Sequence, residues 1–298
     1  MASPELQMMI DMLRSSPPFP RDATFAEQRA ALERLTGMAP AAPDVRHTPV
    51  EAGGRPAEWI RAEATADDRA VLYLHGGGYC IGSITTHRHL AGDIARASGA
   101  PVLLLDYRLA PEHACPAAVE DAQRAYRFLL DQGLAPGRLA IAGDSAGGGL
   151  TAATLLALRD GGDPLPAAGV CLSPWLDLTQ SGASMQARAA ADPLVTQDGL
   201  QRMADAYVAG GDARGPSASP LFADLRGLPP LLVQVGTAEI LLDDATRFAE
   251  RARAAGVDVA LEVWDDMVHV WQAFGFALPE ARQAIDGIGA FLRQRWVA

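Results

Sequence analysis

The chain has 298 residues, 49% of them hydrophobic, and a formal net charge of −11 at pH 7. That length and apolar content suit one large domain, or a core plus a smaller elaboration, with no disulfide or metal staple needed. The acidic balance disfavours nucleic acid and anionic membrane surfaces as partners, and no run approaches the ~18 apolar residues of a membrane span.

The opening Met1-Ala2-Ser3-Pro4-Glu5 has no basic stretch leading into an apolar core, so no secretory signal is expected. Cys80, Cys115 and Cys171 are odd in number and widely spaced, with no C-x-x-C pair. They point to a reduced, cytoplasmic setting and to no zinc site.

Taken in chain order, residues 1–42 hold two amphipathic helical patches, Glu5–Arg14 and Phe25–Thr36, separated by Ser15-Ser16-Pro17-Pro18-Phe19-Pro20. Val45–Val50 and Pro56–Ala62 flank Gly53-Gly54 and predict an antiparallel hairpin. From there short β-rich runs alternate with helical stretches. Strand Ala70–Leu74 is followed by helix His87–Ser98, and strand Val102–Asp106 by helix Ala117–Leu130. Strand Leu139–Ala142, the glycine-rich helix Ala146–Arg159 and strand Ala167–Leu172 come next. After a break the rhythm resumes with strand Leu231–Val235, helix Ala245–Ala255, strand Ala260–Trp264 and the closing helix Glu280–Arg295. Near-continuous apolar runs such as Leu103-Leu104-Leu105 and Leu231-Leu232-Val233 are what parallel strands covered on both faces require. The expected class is α/β, with a mostly parallel twisted sheet of about eight strands and helices on both faces.

Two segments break the repeat. Residues 1–42 and 181–219, the latter with a polar helical stretch Gln197–Val208, are read as a helical cap over the carboxyl ends of the strands. The catalytic core is then 43–180 together with 220–298. The plainer alternative makes both segments peripheral decoration.

Two motifs follow predicted strands directly. Gly143-Asp144-Ser145-Ala146-Gly147 has the form G-x-S-x-G, in which small neighbours let a serine protrude from a sharp strand-to-helix turn. His75-Gly76-Gly77-Gly78-Tyr79 offers glycine N–H groups free to approach an oxygen that acquires negative charge. With this glycine content the serine motif arises by chance in roughly one chain in five, and the histidine–triple-glycine motif in well under about one in a hundred. Their order, each after a strand, points to a nucleophile with an anion hole, hence to hydrolysis at an acyl group. A flexible turn and an ordinary helix N-cap are the competing reading.

A serine hydroxyl needs a base, usually an imidazole oriented by a carboxylate, and in this fold the chain order is Ser, Asp/Glu, His. His269 is the one histidine after Ser145, in a loop that follows a strand. The carboxylate should follow Leu231–Val235, which favours Glu239 in Gly236-Thr237-Ala238-Glu239. Asp243 and Asp244 have an alternative task at a helix N-terminus, and Asp265 and Asp266 are very close to His269 in the chain; all four stay in competition with Glu239. Oxyanion donors are expected from the backbone N–H groups of Gly77, Gly78 and Ala146. His75 is expected to orient the glycine loop through its ring nitrogens. His47, His87, His89 and His113 are expected to be structural or solvent-facing and far from the site. Arg108 and Glu112 read better as structural ion-pair partners than as substrate ligands, and Trp175 and Tyr207 as core aromatics that could also line an acyl pocket.

These segments, with Asp106-Tyr107-Arg108-Leu109-Ala110-Pro111-Glu112-His113 and Leu172-Ser173-Pro174-Trp175-Leu176-Asp177-Leu178, resemble the bacterial hormone-sensitive-lipase-like esterases of the α/β-hydrolase superfamily over roughly residues 45–295. The resemblance implies an α/β-hydrolase fold with a two-part helical cap. It further implies a serine carboxylesterase for short- to medium-chain acyl esters, working through an acyl-enzyme with a Ser145–Glu239–His269 triad. No metal and no organic cofactor are implied. Family members often pair through the last strand and a late helix, which implies a homodimer. Glu239 departs from much of the family, which carries aspartate there, and the first forty residues match only loosely. The same machinery would also suit an amidase or deacetylase acting on a small acylated metabolite or xenobiotic. A third option is a ligand receptor on the same fold, which predicts a missing base.

Overall fold

A computed structural model describes residues 3–16, 20, 22–37 and 42–296. Met1-Ala2 of the N-terminal segment and Pro17-Pro18-Phe19 of the proline-rich separator lie outside the described residues.

Eight strands form one sheet: β1 (Val45–Ala52), β2 (Arg55–Ala62), β3 (Ala70–Leu74), β4 (Val102–Leu105), β5 (Leu139–Asp144), β6 (Ala168–Leu172), β7 (Leu231–Gly236) and β8 (Val259–Trp264). Their spatial order is β1-β2-β4-β3-β5-β6-β7-β8. Only β1–β2 and β2–β4 are antiparallel; the other neighbours run parallel. Every residue of β3, β4, β5, β6 and β7 is buried, as strands with helices on both faces must be.

Alternation along those strands assigns the two faces. Leu72, Leu103, Leu105, Ile141, Cys171 and Val233 pack against α4 (Ala117–Asp131), α5 (Ala146–Gly161) and α8 (Leu242–Ala254). Val71, Tyr73, Leu104, Ala142, Val170 and Leu232 pack against α3 (Ile84–Ser98) and α9 (Pro279–Arg295). Burying each such leucine or valine contributes roughly 1.5–3 kcal/mol.

Two helices start a full three residues earlier than the pattern indicated. The first turn of α3, Ile84-Thr85-Thr86, is β-branched and reads poorly as helix, yet Thr86 Oγ1 accepts the Ser83 N–H at 2.9 Å and fixes the entry there. α8 begins at Leu242, where Ser184 Oγ accepts the Asp243 N–H at 3.0 Å.

Outside the repeat lie α1 (Pro4–Ser15), α2 (Phe25–Gly37), the single-turn α6 (Ser184–Ala187) and α7 (Gln197–Val208). They lean on loops at one edge of the sheet. Leu6, Met9 and Ile10 of α1 pack with Met267, Val268 and Trp271. Arg29 of α2 donates to the Cys80 carbonyl over 2.7 Å and to the Ala110 carbonyl over 2.8 Å. Met203 of α7 lies over Gly78. Among the described residues no helix is long and apolar enough to cross a membrane.

Candidate active site

Parallel register delivers the candidate residues to a common edge. Leu74 of β3 pairs with Gly143 of β5, Asp144 with Leu172 of β6, and Gly236 of β7 with Trp264 of β8. The loops beginning at His75, Ser145, Ser173 and Thr237, and the loop that carries His269, therefore all leave the carboxyl ends of strands, where α/β sheets bind ligands.

Ser145 stands between β5 and α5 at φ 54° and ψ −120°, a conformation that costs a non-glycine residue free energy. Surrounding bonds hold it. Its N–H donates to the Leu172 carbonyl at 2.8 Å, and its carbonyl accepts the N–H groups of Gly149 and Trp175 at 3.1 and 2.9 Å. A side chain on Gly147 would overlap the Leu74 carbonyl, and one on Gly143 the Gly147 carbonyl. Small residues at both positions are thus a packing requirement of the turn.

Three side chains meet around this turn in one hydrogen-bonded line. His269 Nε2 lies 2.9 Å from Ser145 Oγ, and His269 Nδ1 lies 2.8 Å from Glu239 Oε2. Glu239 Oε1 accepts the Gly236 N–H at 2.7 Å and the Ser173 hydroxyl at 2.8 Å. Ser145 is 9% exposed, His269 6% and Glu239 fully buried, so little water screens these contacts. Burial, the largest influence on the His269 ring, pushes its proton affinity down. The hydrogen bond and charge of Glu239, with the charges of Asp192 and Asp144, outweigh it and raise the ring above the ordinary imidazole value.

Two of the competing carboxylates are occupied elsewhere. Asp243 accepts the Ser184 N–H, and Asp244 accepts those of Leu176 and Asp177. Asp266 stands at φ 65° with its N–H on Thr237 Oγ1. Glu239 is the carboxylate bonded to His269.

Gly77 and Gly78 adopt φ values of 117° and 58°, which favour glycine and turn the loop after β3 back on itself. The Gly77 carbonyl accepts the N–H groups of Cys80 and Ile81. Among the described residues, the N–H groups of Gly77, Gly78 and Ala146 donate to no protein acceptor. Donors left open in this way are what an oxyanion would need.

His75 anchors the loop through one ring nitrogen, Nδ1 lying 2.8 Å from the Gly76 carbonyl oxygen, and its Nε2 has no partner among the described residues. The ring stacks on Tyr107 at 4.3 Å, and burial drops its pKa to about 3, so it stays neutral. His87 corrects the sequence reading: it is not remote. Its Nε2 lies 3.3 Å from the Gly76 nitrogen and 3.4 Å from Asp144 Oδ2. Asp144, just before the serine, also accepts from the Tyr73 hydroxyl at 2.8 Å and the Gly76 N–H at 3.1 Å. It joins the serine turn to the glycine loop.

Arg108 pairs with Asp121 and Glu120, and Glu112 with Arg29. Arg29, Arg108 and Glu112 help line an open depression of about 280 Å³ whose walls include none of Ser145, Glu239 and His269. Trp175 and Tyr207 are fully buried, Tyr207 stacked 3.8 Å from Tyr79. Two residues escaped the sequence reading. Ser173 could have been found by asking which polar side chain ends β6 at this edge. Asp192, which accepts the Ile240 N–H, carries no local signal. Among the described residues no group of three or more His, Cys, Asp and Glu side chains is arranged to hold a metal ion.

Residues 71–273 match a family described by its alpha/beta hydrolase fold. Over 299 residues the chain is 49% identical to an acetyl-hydrolase of Streptomyces hygroscopicus, spanning 98% of this chain and 97% of that one. Identity to an esterase of Acinetobacter venetianus is 39% over 264 residues, or 88% and 87% of the two chains. Among solved structures, EstE5 soaked by ethyl alcohol superposes with a TM-score of 0.97 at 50% identity, covering 100% of both chains. An esterase from the bacterial hormone-sensitive lipase (HSL) family superposes at 0.96 with 53% identity, again over 100% of both.

Proposed function

This chain belongs to the α/β-hydrolase family, among the bacterial hormone-sensitive-lipase-like esterases, and on that premise we propose that it is a serine carboxylesterase for short- to medium-chain acyl esters. It is a carboxylic ester hydrolase; the serine mechanism, the residues and the acyl range are the proposal. The observation that carries it is the unbroken line from Ser145 Oγ through His269 to Glu239, with contacts of 2.9 and 2.8 Å.

In this mechanism His269 Nε2 takes the Ser145 proton as Oγ attacks the ester carbonyl carbon. The N–H groups of Gly77, Gly78 and Ala146 receive the oxyanion of the tetrahedral adduct, where each such donor contributes on the order of 3–4 kcal/mol to the barrier reduction. His269 then protonates the departing alkoxide, leaving an acyl group on Ser145. Water, deprotonated by the same imidazole, attacks that acyl carbon, and collapse of the second adduct releases the acid and restores the serine. Glu239 accepts from Nδ1, which keeps Nε2 as the basic nitrogen and stabilises the imidazolium.

A short acyl group is supported by the acetyl-hydrolase relative and by the soaking of EstE5 with p-nitrophenyl butyrate. Residues 1–42 and 181–219 form the proposed cap, supported by the contacts of Arg29, Leu6 and Met203 with loops of the site edge. The free thiols Cys80, Cys115 and Cys171 suit a reducing cytoplasm, and likeness to the family suits a homodimer. Ser145→Ala should lower kcat on p-nitrophenyl butyrate by on the order of 10³-fold or more with the melting transition retained. Turnover within tenfold of the parent would overturn the mechanism.

A further inference from the structure

One buried carboxylate outside the Ser145–His269–Glu239 line is bonded directly to the loop that carries Glu239, although it comes from a different segment. Asp192 lies between α6 and α7 and is 9% exposed. Its Oδ1 accepts the N–H groups of Leu194 and Val195, each at 2.9 Å. Its Oδ2 accepts the Ile240 N–H at 3.0 Å, across 48 residues of chain. Ile240 follows Glu239 immediately, so this bond fixes the peptide unit leaving the acid. Burial on balance raises the proton affinity of Asp192, while the N–H donors facing both oxygens and the His269 charge favour the ionised carboxylate.

The segment around Asp192 is itself held. Arg14 of α1 donates to the carbonyls of Ala190 and Ala191 at 3.3 and 3.5 Å, and Leu194 packs into the cluster of α1 with Met267, Val268 and Trp271. Asp192 therefore stands on a scaffold that also touches the loop of His269. The charged groups acting on that ring are the carboxylates of Glu239 from the loop after β7, Asp192 from the 181–219 segment and Asp144 from the end of β5.

We propose that Asp192 is a positioning residue for the relay: it holds the Glu239 loop at the Ile240 amide and adds its negative charge to that of Glu239 in stabilising the imidazolium formed on His269. The inference rests on the serine-esterase reading above. It makes the 181–219 segment part of the acid–base apparatus as well as a boundary of the pocket. Electrostatically, burial opposes a charged ring, and a second carboxylate held rigidly by three amides offsets that opposition without reorganising.

The test is kcat and kcat/KM for p-nitrophenyl butyrate between about pH 5 and pH 9, since the acid limb of kcat/KM reports the free enzyme's base. Asp192→Asn and Asp192→Glu are compared with the parent in the full chain, with paraoxon titration counting the reactive serines. In Asp192→Asn the acid limb should move down by about half a pH unit and kcat per titrated serine should fall on the order of tenfold, with KM within about twofold. Asp192→Glu, which keeps the charge, should keep the limb. An unmoved limb in Asp192→Asn, with activity lost only in proportion to titratable serines, would show a purely structural tether and overturn the proposal. Should Asp192→Asn not fold, Asp192→Glu decides: a limb displaced by half a unit or more refutes it, and a limb held at the parent's position supports it. Absence of a paraoxon-titratable serine in the parent would overturn the esterase mechanism itself, an outcome distinct from either.

Discussion

The Ser173 hydroxyl donates to Glu239 Oε1 over 2.8 Å, and Ser173 Oγ in turn accepts the Val270 N–H at 3.0 Å. One hydroxyl thus joins the carboxylate to the residue that follows His269. Ser173 holds a φ of 44°, and its own N–H reaches the Gln234 carbonyl at 2.7 Å. The Leu172–Leu178 motif therefore supports the Glu239 and His269 loops together.

Ser173→Ala removes the bridge and leaves the Val270 N–H unpaired in a site that admits little water. It should cost about 1–3 kcal/mol of stability and lower kcat on the order of tenfold, with KM nearly unchanged. Ser173→Gly loses the same hydroxyl but relieves the positive φ, so it should regain part of the stability while kcat stays at the alanine level. Thermal melts and steady-state kinetics read the two effects separately. A glycine variant that recovers kcat would show that the hydroxyl plays no part in holding Glu239.

The His269 ring sets a pH dependence whose sign follows from its surroundings. Burial alone would favour the neutral ring, but Glu239, Asp192 and Asp144 together hold the proton more tightly than the ordinary value of 6.5. In the proposed mechanism the base must be neutral to accept the serine proton, so kcat/KM should fall with acidification through a limb centred above that value. Removing the nearest charge in Glu239→Gln should move the limb down and lower kcat by on the order of 10²–10⁴-fold. The stability contribution has the opposite sense. A raised folded-state value means the imidazolium's contribution is complete below 6.5 and is lost as pH rises through the folded value. A limb that Glu239→Gln leaves in place would separate His269 from Glu239 functionally.

In the glycine loop, two neighbouring positions should respond very differently to alanine. A Cβ on Gly77 would overlap the Ile81 carbonyl, backbone that cannot move without opening the loop. A Cβ on Gly78 would overlap the Met203 sulfur, part of a flexible side chain with rotamers to spare. Both positions also carry strain from positive φ. Gly77→Ala should therefore reduce kcat by about 10²-fold or more, whereas Gly78→Ala should be milder and partly rescued by Met203→Ala. The double-mutant cycle for Gly78 and Met203 should show coupling of about 0.5–2 kcal/mol, and an additive result would refute the contact as the cause.

The sheet was legible because strands buried on both faces leave almost unbroken apolar runs, and their ends fell within one or two residues of β3 through β8. The meeting of Ser145 and His269, whose side chains stand 2.9 Å apart, was legible because chain order and a lone downstream histidine limited the choice. The start of α3 was not, since β-branched residues occupy its first turn. Neither was the single turn of α6, too short to show a period. Ser173, Asp192 and His87 act across 66, 48 and 57 residues of intervening chain, so their partners exist only once the sheet has brought the loops together. His87 was misplaced for that reason. Its spacing from His89 describes one helix face and says nothing of Asp144, which approaches from another strand.

Asp244 should make part of the fold's stability decline with rising pH, the reverse of most aspartates. It is fully buried at the start of α8, where Oδ2 accepts the N–H groups of Leu176 and Asp177 and Oδ1 has no partner among the described residues. Burial, opposed by the two amide bonds and reinforced by the nearby Asp177 charge, raises its pKa from 3.8 to about 8. Below 3.8 the carboxyl is protonated in both folded and unfolded chains and makes no difference between them. Between there and about 8 the unfolded chain releases its proton while the folded one retains it, so stability falls by at most ~1.4 kcal/mol per pH unit. Asp244→Asn keeps an acceptor for both amides and cannot titrate. Relative to the parent it should gain stability as pH rises across that window, by on the order of a few kcal/mol, and the difference should disappear at pH 4 and below. Denaturant melts of both proteins at intervals from about pH 4 to pH 9 measure that difference. A difference that stays constant with pH would mean that Asp244 is ionised in the fold throughout, with its charge carried by the Leu176 and Asp177 amides.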